Sequence, residues 1–161
     1  MLNREFLLEL EEYMQEHLEG LPPLYSQHSV HSNYDVQEME LSDYLERRRK
    51  PSFQQVLFSY MDRSGLRDSE VYNKAGIDRK HFSKIRSNEN YLPKKNTLIA
   101  LAFALELNRS ETDELLSSAG YSLSSSDQTD LIIQFFLEKQ NYSITDMNEA
   151  LDNFNLKPLL R

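Results

Sequence analysis

Hydrophobic residues recur along this chain at the three- and four-residue spacing of amphipathic helices. After Pro51, apolar side chains fall on one helical face at positions i, i+3, i+4, i+7 and i+8: Phe53, Val56, Leu57, Tyr60 and Met61. Ser64-Gly65 predicts the end of this helix. Residues 98–107 are apolar all round except Glu106, a pattern typical of a helix surrounded by other helices.

The first third of the chain predicts two helices separated by a linker. Apolar residues keep helical spacing over residues 3–19, until Gly20 ends the pattern. Residues 20–40 show little periodicity and predict a linker or loop. A short helix follows, with Ser42 as its predicted cap and with Arg47 to Lys50 in its last turn, where cations favour the carboxyl end of the helix dipole.

The last third predicts three more helices. Ser110 followed by Asp113 gives a start similar to a capping box, and Gly120 ends that helix. Two further helices are predicted at about 126–140 and 143–154.

No segment predicts a strand, so we expect an all-α fold. We divide the chain into an N-terminal helical arm and linker over residues 1–50, a domain of five helices over residues 51–121, and a C-terminal extension of two helices over residues 122–161.

Charge is distributed unevenly along the chain, whose formal net charge is −8. Residues 51–97 contain 9 Lys and Arg against 5 Asp and Glu, whereas residues 1–50 contain 5 against 11 and residues 98–161 contain 4 against 10. The middle segment is therefore a basic island between acidic flanks. Such an island is sufficient for a local contact with phosphate groups.

Several classes of protein are disfavoured by what the sequence lacks. The longest apolar run, residues 98–105, is far shorter than the roughly 20 residues that cross a bilayer, and the start of the chain lacks the pattern of a signal peptide. Together with the absence of Cys, this predicts a cytoplasmic protein. Without a glycine-rich phosphate loop or a nucleophile elbow, we expect no enzyme and no cofactor. His28 and His31 lack further clustered ligands, so we expect no metal site.

The segment DSEVYNKAGIDRKHFSKIRSN, Asp68 to Asn88, carries the chemistry of the basic island. Asp68 is the predicted N-cap of a first helix, in which Val71 and Ala75 face one side. Gly76 can adopt the left-handed conformation that a sharp turn needs, and Ile77 can fill the corner.

The second helix of this segment begins after Asp78, its predicted cap. Phe82 and Ile85 lie three residues apart and are expected to face inward. The basic side chains are then expected to lie on the other surfaces: Arg79, Lys80, Lys84 and Arg86.

Residues 52–120 resemble the lambda-repressor-like helix-turn-helix family of the Cro/C1 or XRE type. The residues that match its framework are Val71, Ala75, Gly76, Ile77, Phe82 and Ile85. The resemblance implies a DNA-binding module, often in a dimeric transcriptional regulator. The segments LRDSEVYNKAGIDRKHFSKIRSN and AGYSLS, with the two later helices, more closely resemble a helical region attached to macro domains and found in phage-associated proteins of low-GC Gram-positive bacteria.

Our first hypothesis is a sequence-specific DNA-binding transcriptional regulator of this type. Its predicted groove-reading residues are Arg79, Lys80, His81 and Lys84, and its predicted phosphate contacts are Arg86, Lys94 and Lys95. A homodimer is expected, held by the helix at residues 3–19 or by the last two helices, because each carries an apolar stripe beyond the needs of a five-helix core.

A second hypothesis gives the same fold a role in protein–protein interaction. The basic residues would then form exposed ion pairs with Glu70, Asp78 or Glu89, which need no ligand. Residues 1–50 would bind a protein partner, and acidic surfaces could serve phage defence or counter-defence.

Overall fold

The computed structural model describes residues 2–19 and 38–160, and the regular elements within these ranges are all helices. None of them combines the length and the apolar composition that crossing a membrane requires. The helices are α1 Arg4–Glu19, α2 Glu38–Arg48, α3 Phe53–Ser64, α4 Asp68–Ala75, α5 Arg79–Ser87, α6 Lys95–Ala104, α7 Arg109–Ser118, α8 Gln128–Glu138 and α9 Ile144–Asn153. The all-α prediction is confirmed.

Three predicted helix starts are wrong by a few residues. Helix α2 begins at Glu38, so Ser42 lies inside it; the rest of the predicted linker, residues 20–37, lies outside the described residues. Helix α4 is preceded by Arg67 rather than by Asp68, because the Glu70 side chain accepts a hydrogen bond from the Arg67 amide at 2.7 Å. Helix α7 is capped by Asn108 instead of Ser110.

The cap of α7 is a reciprocal pair. The Asn108 side chain accepts from the Glu111 amide at 2.9 Å, and the Glu111 carboxylate accepts from the Asn108 amide at 3.0 Å. This closes a capping box two residues before the predicted one. The predicted end of α3 is confirmed, since Gly65 has φ 70° in the left-handed region.

Helix α6 lies at the centre of the fold. Each of its residues from Thr97 to Ala104 is buried, as its apolar sequence predicts. It packs against α4 on one side and α7 on another, and α3 also packs against α7. This arrangement holds α4 firmly, and α4 in turn positions α5.

The predicted N-terminal arm and C-terminal extension belong to the same core as the middle helices. In α8, every residue from Asp130 to Leu137 is buried. Helix α1 covers α8 with Leu10 and Met14, both buried, and with Phe6, whose ring centre lies 5.0 Å from that of Phe135. One buried cluster therefore crosses the predicted boundaries at residues 50 and 121.

This packing removes the basis of the predicted dimer contacts. The apolar stripe of α1, or those of α8 and α9, were assigned to a second subunit, but α1 packs against α8 and α8 packs against α9 within one chain. The Tyr13 hydroxyl, which donates to Glu138 at 3.0 Å, and an ion pair between Lys139 and Glu9 border the contact.

Candidate nucleic-acid interface

Helices α4 and α5 are joined by a tight turn at Gly76. Val71 and Ala75 are fully buried on the inner side of α4. Gly76 has φ 72°, and the Ile77 amide donates to the Tyr72 carbonyl at 2.9 Å. Ile77 is buried in the corner. The sequence predicted the inward side of α4, the left-handed Gly76 and the position of Ile77, because these features arise from residues close together in the chain.

Helix α5 turns one apolar side inward and its polar side outward. The Asp78 carboxylate accepts from the His81 amide at 2.7 Å and so caps the helix. Phe82 and Ile85 are buried. At 100° per residue, the opposite side of the helix carries Lys80, Ser83, Lys84 and Ser87.

Arg79, Lys80 and Lys84 are cations of α5 that no carboxylate among the described residues pairs with. All three are exposed. Arg79 and Lys80 make no hydrogen bond or ion pair with any residue in the described ranges, and the Lys84 ammonium lies 4.3 Å from the centre of the Tyr91 ring. Because a cation–π contact at an exposed site contributes only ~0.5–1 kcal/mol, Lys84 can still meet an anion.

His81 and Arg86 are held by other parts of the fold. The His81 Nε2 atom lies 3.0 Å from the Tyr91 hydroxyl, and the imidazole is half-buried against that ring. The Arg86 Nε atom lies 3.1 Å from Asp68 Oδ2, and its guanidinium stacks 4.7 Å above the Phe58 ring. Both side chains therefore bind neighbouring parts of the fold as well as contributing to the polar surface of α5.

The two lysines at the start of α6 have different surroundings. Lys94 is exposed and has no ion-pair partner among the described residues. Lys95 is half-buried, and its ammonium lies 2.6 Å from the Asp130 carboxylate, whose side chain is only 6% exposed. The same carboxylate oxygen accepts from the Ser124 amide at 2.8 Å. The structure thus directs Lys95 toward α8, away from the predicted phosphate contact.

A cleft of about 480 Å³ separates the start of α4 from α5. Arg67, Arg79 and Arg86 line it, together with Asp68 and Ser69. Tyr72 and Phe82 also line the cleft, and their ring centres lie 5.6 Å apart. Sequence reasoning missed Arg67, because the cap of α4 was placed one residue too late.

Metal binding finds no support in the described part of the chain, where no cluster of three or more His, Asp or Glu side chains forms a candidate site. His28 and His31 lie outside the described residues. Comparisons of this chain with models of protein families, with curated proteins and with solved structures find no match. The class defined by the fold is an all-α protein, with a cationic surface on α5.

Proposed function

We propose that this protein binds double-stranded DNA through the outer side of α5 and acts as a helix-turn-helix transcriptional regulator. The observation that carries the proposal is the exposure of Arg79, Lys80 and Lys84 on a helix whose opposite side is buried, with no described residue covering the cations. In helix-turn-helix proteins the first turn of the second helix meets base edges in the major groove. The family resemblance of residues 52–120 supports the same reading.

The contacts of each side chain divide the basic residues by role. Arg79 and Lys80, in the first turn of α5, are the groove-reading residues. Lys84 and Lys94 contact phosphates. Arg86 and His81 hold the surface in shape through Asp68 and Tyr91.

Salt dependence gives the first test of this proposal. Lys84 and Lys94 neutralise about two phosphates, so the logarithm of the association constant falls with the logarithm of salt concentration with a slope of about −1.8. The negative net charge of the chain opposes non-specific binding and leaves the local contact dominant. Affinity that does not change between low and moderate salt contradicts the proposal.

A charge reversal gives the second test. We expect Lys80→Glu/Lys84→Glu to weaken binding to selected duplexes by at least ~30-fold, since two phosphate or base contacts are lost and two repulsions are added. Duplexes that bind the protein are first selected from a random pool by repeated rounds of binding. Fluorescence anisotropy with labelled copies of these duplexes then measures the change in affinity. The matched pair of single reversals is Lys80→Glu and Arg4→Glu, since Arg4 is also an exposed cation but lies on α1, packed against α8. Equal affinity of both variants removes α5 from the interface.

The acidic face of α1 favours a second candidate function, binding of a protein partner. Glu5, Glu12 and Glu16 are exposed along this helix, and Glu12 and Glu16 lie at a spacing where like charges repel and destabilise it, whereas Glu9 is paired with Lys139. A cationic partner surface relieves that repulsion. Capture of a partner that survives nuclease treatment, and that depends on these carboxylates but not on Lys80 and Lys84, supports this candidate.

A further inference from the structure

Helix α2 has an apolar stripe that the other described helices leave exposed, although the Arg48 guanidinium of the same helix lies 5.2 Å from the centre of the Tyr44 ring. Leu41, Tyr44 and Leu45 lie on one side of the helix and expose 46%, 45% and 57% of their surface. Every residue from 40 to 50 is exposed. An isolated helix of 11 residues is marginal in water, because packing of the apolar face supplies most of the stability of helices in proteins. The apolar side of α2 therefore needs a surface to pack against.

The charges beside the stripe indicate what that partner is. Glu40 and Arg47 are seven residues apart, so they lie on the same side of α2, two turns from each other, next to Tyr44. Asp43 and Glu46 project from the other side of the helix. An acidic residue therefore lies beside one end of the stripe and a basic residue beside the other. When a second α2 helix packs in the opposite direction, each acidic residue meets the basic residue of the other helix. A parallel copy would place these two residues on the opposite edge of the contact from their counterparts in the partner, so Glu40 would not meet Arg47.

We propose that a second copy of this chain covers α2, through two α2 helices that run antiparallel about a two-fold axis. The apolar stripes of the two helices pack together, and Glu40 of each copy lies beside Arg47 of the other. A two-fold contact of this kind uses the same patch on both subunits, so the pair between Glu40 and Arg47 forms twice. The inference uses no residue of α4 or α5 and stands apart from the proposed DNA binding.

The size of the stripe sets the strength of this dimer. Three large side chains from each copy bury less than the ~1,600 Å² of a standard interface. We therefore expect a dissociation constant of about 10–100 μM. Such a dimer forms at high protein concentration, or when two copies are held side by side on one DNA molecule.

Sedimentation velocity of the full chain over a concentration range from about 5 to 500 μM tests the proposal. The expected result is a reversible monomer–dimer equilibrium that Leu41→Asp/Leu45→Asp abolishes, leaving a monomer at every concentration. The matched control is Leu8→Asp, which changes a leucine of similar exposure, 52%, on α1 and leaves the dimer intact. Circular dichroism confirms that each variant is folded.

Charge reversal tests the antiparallel arrangement separately. Glu40→Arg and Arg47→Glu are each expected to weaken the dimer roughly three- to tenfold, because each places like charges together twice. The double variant Glu40→Arg/Arg47→Glu restores opposite charges at both places and recovers the original affinity. Failure of the double variant to recover overturns the antiparallel pairing.

Two other results overturn the whole proposal. One is a dimer that persists in Leu41→Asp/Leu45→Asp. The other is a wild-type chain that stays monomeric at the highest concentration. If that monomer is also destabilised by Leu45→Asp, another part of the same chain covers the stripe.

Discussion

At the scale of single residues, Lys95 shows how the fold can take a cation away from a surface role. Its position at the start of α6 is as predicted, but its ammonium binds the buried carboxylate of Asp130. That carboxylate also accepts a hydrogen bond from the Ser124 amide. A buried charge is tolerated only when it is paired and hydrogen-bonded, so Lys95 is part of what allows α8 to be buried.

Removal of the Lys95 charge should therefore lower the stability of the fold rather than act directly on DNA binding. We expect Lys95→Met to lower the free energy of unfolding by about 3 kcal/mol, because it leaves the Asp130 carboxylate buried without its counter-charge. Asp130→Asn should cost less, since the half-buried Lys95 can reach water. Urea unfolding followed by circular dichroism measures both changes. Equal stability of wild type and Lys95→Met would show that the ion pair does not support the core.

The sequence predicted the residues of the α4–α5 turn but not the partners of the neighbouring cations. Gly76, Asp78 and Phe82 act through residues a few positions away, so local pattern is sufficient to place them. The Lys95–Asp130 pair joins residues 35 positions apart. Helical spacing shows on which side of a helix a cation lies, but which distant carboxylate meets it depends on the packing of the whole chain.

At the scale of helices, polar side chains join α3 to α7. The Tyr60 hydroxyl donates to the Glu114 carboxylate, and burial together with this bond raises the pKa of Tyr60 to about 12. One turn away, an Arg63 nitrogen lies 2.8 Å from Glu111 Oε1. The hydrogen bond from Arg63 lowers the pKa of Glu111 below its ordinary value. The same Glu111 side chain caps α7, so one residue both begins the helix and attaches it to α3.

The lowered pKa of Glu111 predicts a specific loss of stability in acid. A carboxyl group whose pKa is lower in the folded state stabilises the fold above its unfolded pKa, and this contribution disappears as the pH falls through the folded value. We expect Arg63→Gln to be less stable than wild type at neutral pH and to approach it between about pH 5 and pH 3. Thermal unfolding across this pH range measures the difference.

A double-variant comparison assigns this effect to the pair. Glu111→Gln retains an oxygen that can accept from the Asn108 amide, but it removes the charge that Arg63 meets. In a Glu111→Gln background, Arg63→Gln should therefore add no further pH dependence. A pH-dependent difference that persists in this background would place its origin elsewhere.

At the scale of the whole molecule, α1 completes the core rather than extending from it. Its amphipathic sequence showed that one side of the helix needs a partner, but an apolar stripe does not specify which surface covers it. The apolar stripe of α1 is compatible both with a second subunit and with α8 of the same chain. The run of buried residues on α8 decided between them, since that helix needs cover on more sides than α7 and α9 provide.

Two leucines of α1 test whether this helix is integral to the fold. Leu10 is fully buried in the core, whereas Leu8 is 52% exposed on the same helix. We expect Leu10→Ala to lower the free energy of unfolding by about 3 kcal/mol through the cavity it leaves, and Leu8→Ala to change it by less than about 0.5 kcal/mol. The two variants remove the same atoms and keep the same helix propensity, so their difference in urea unfolding reports packing alone. Similar, small effects of both would mean that α1 separates from α8 before the core unfolds, and its apolar side would then be free for the subunit contact that the sequence first suggested.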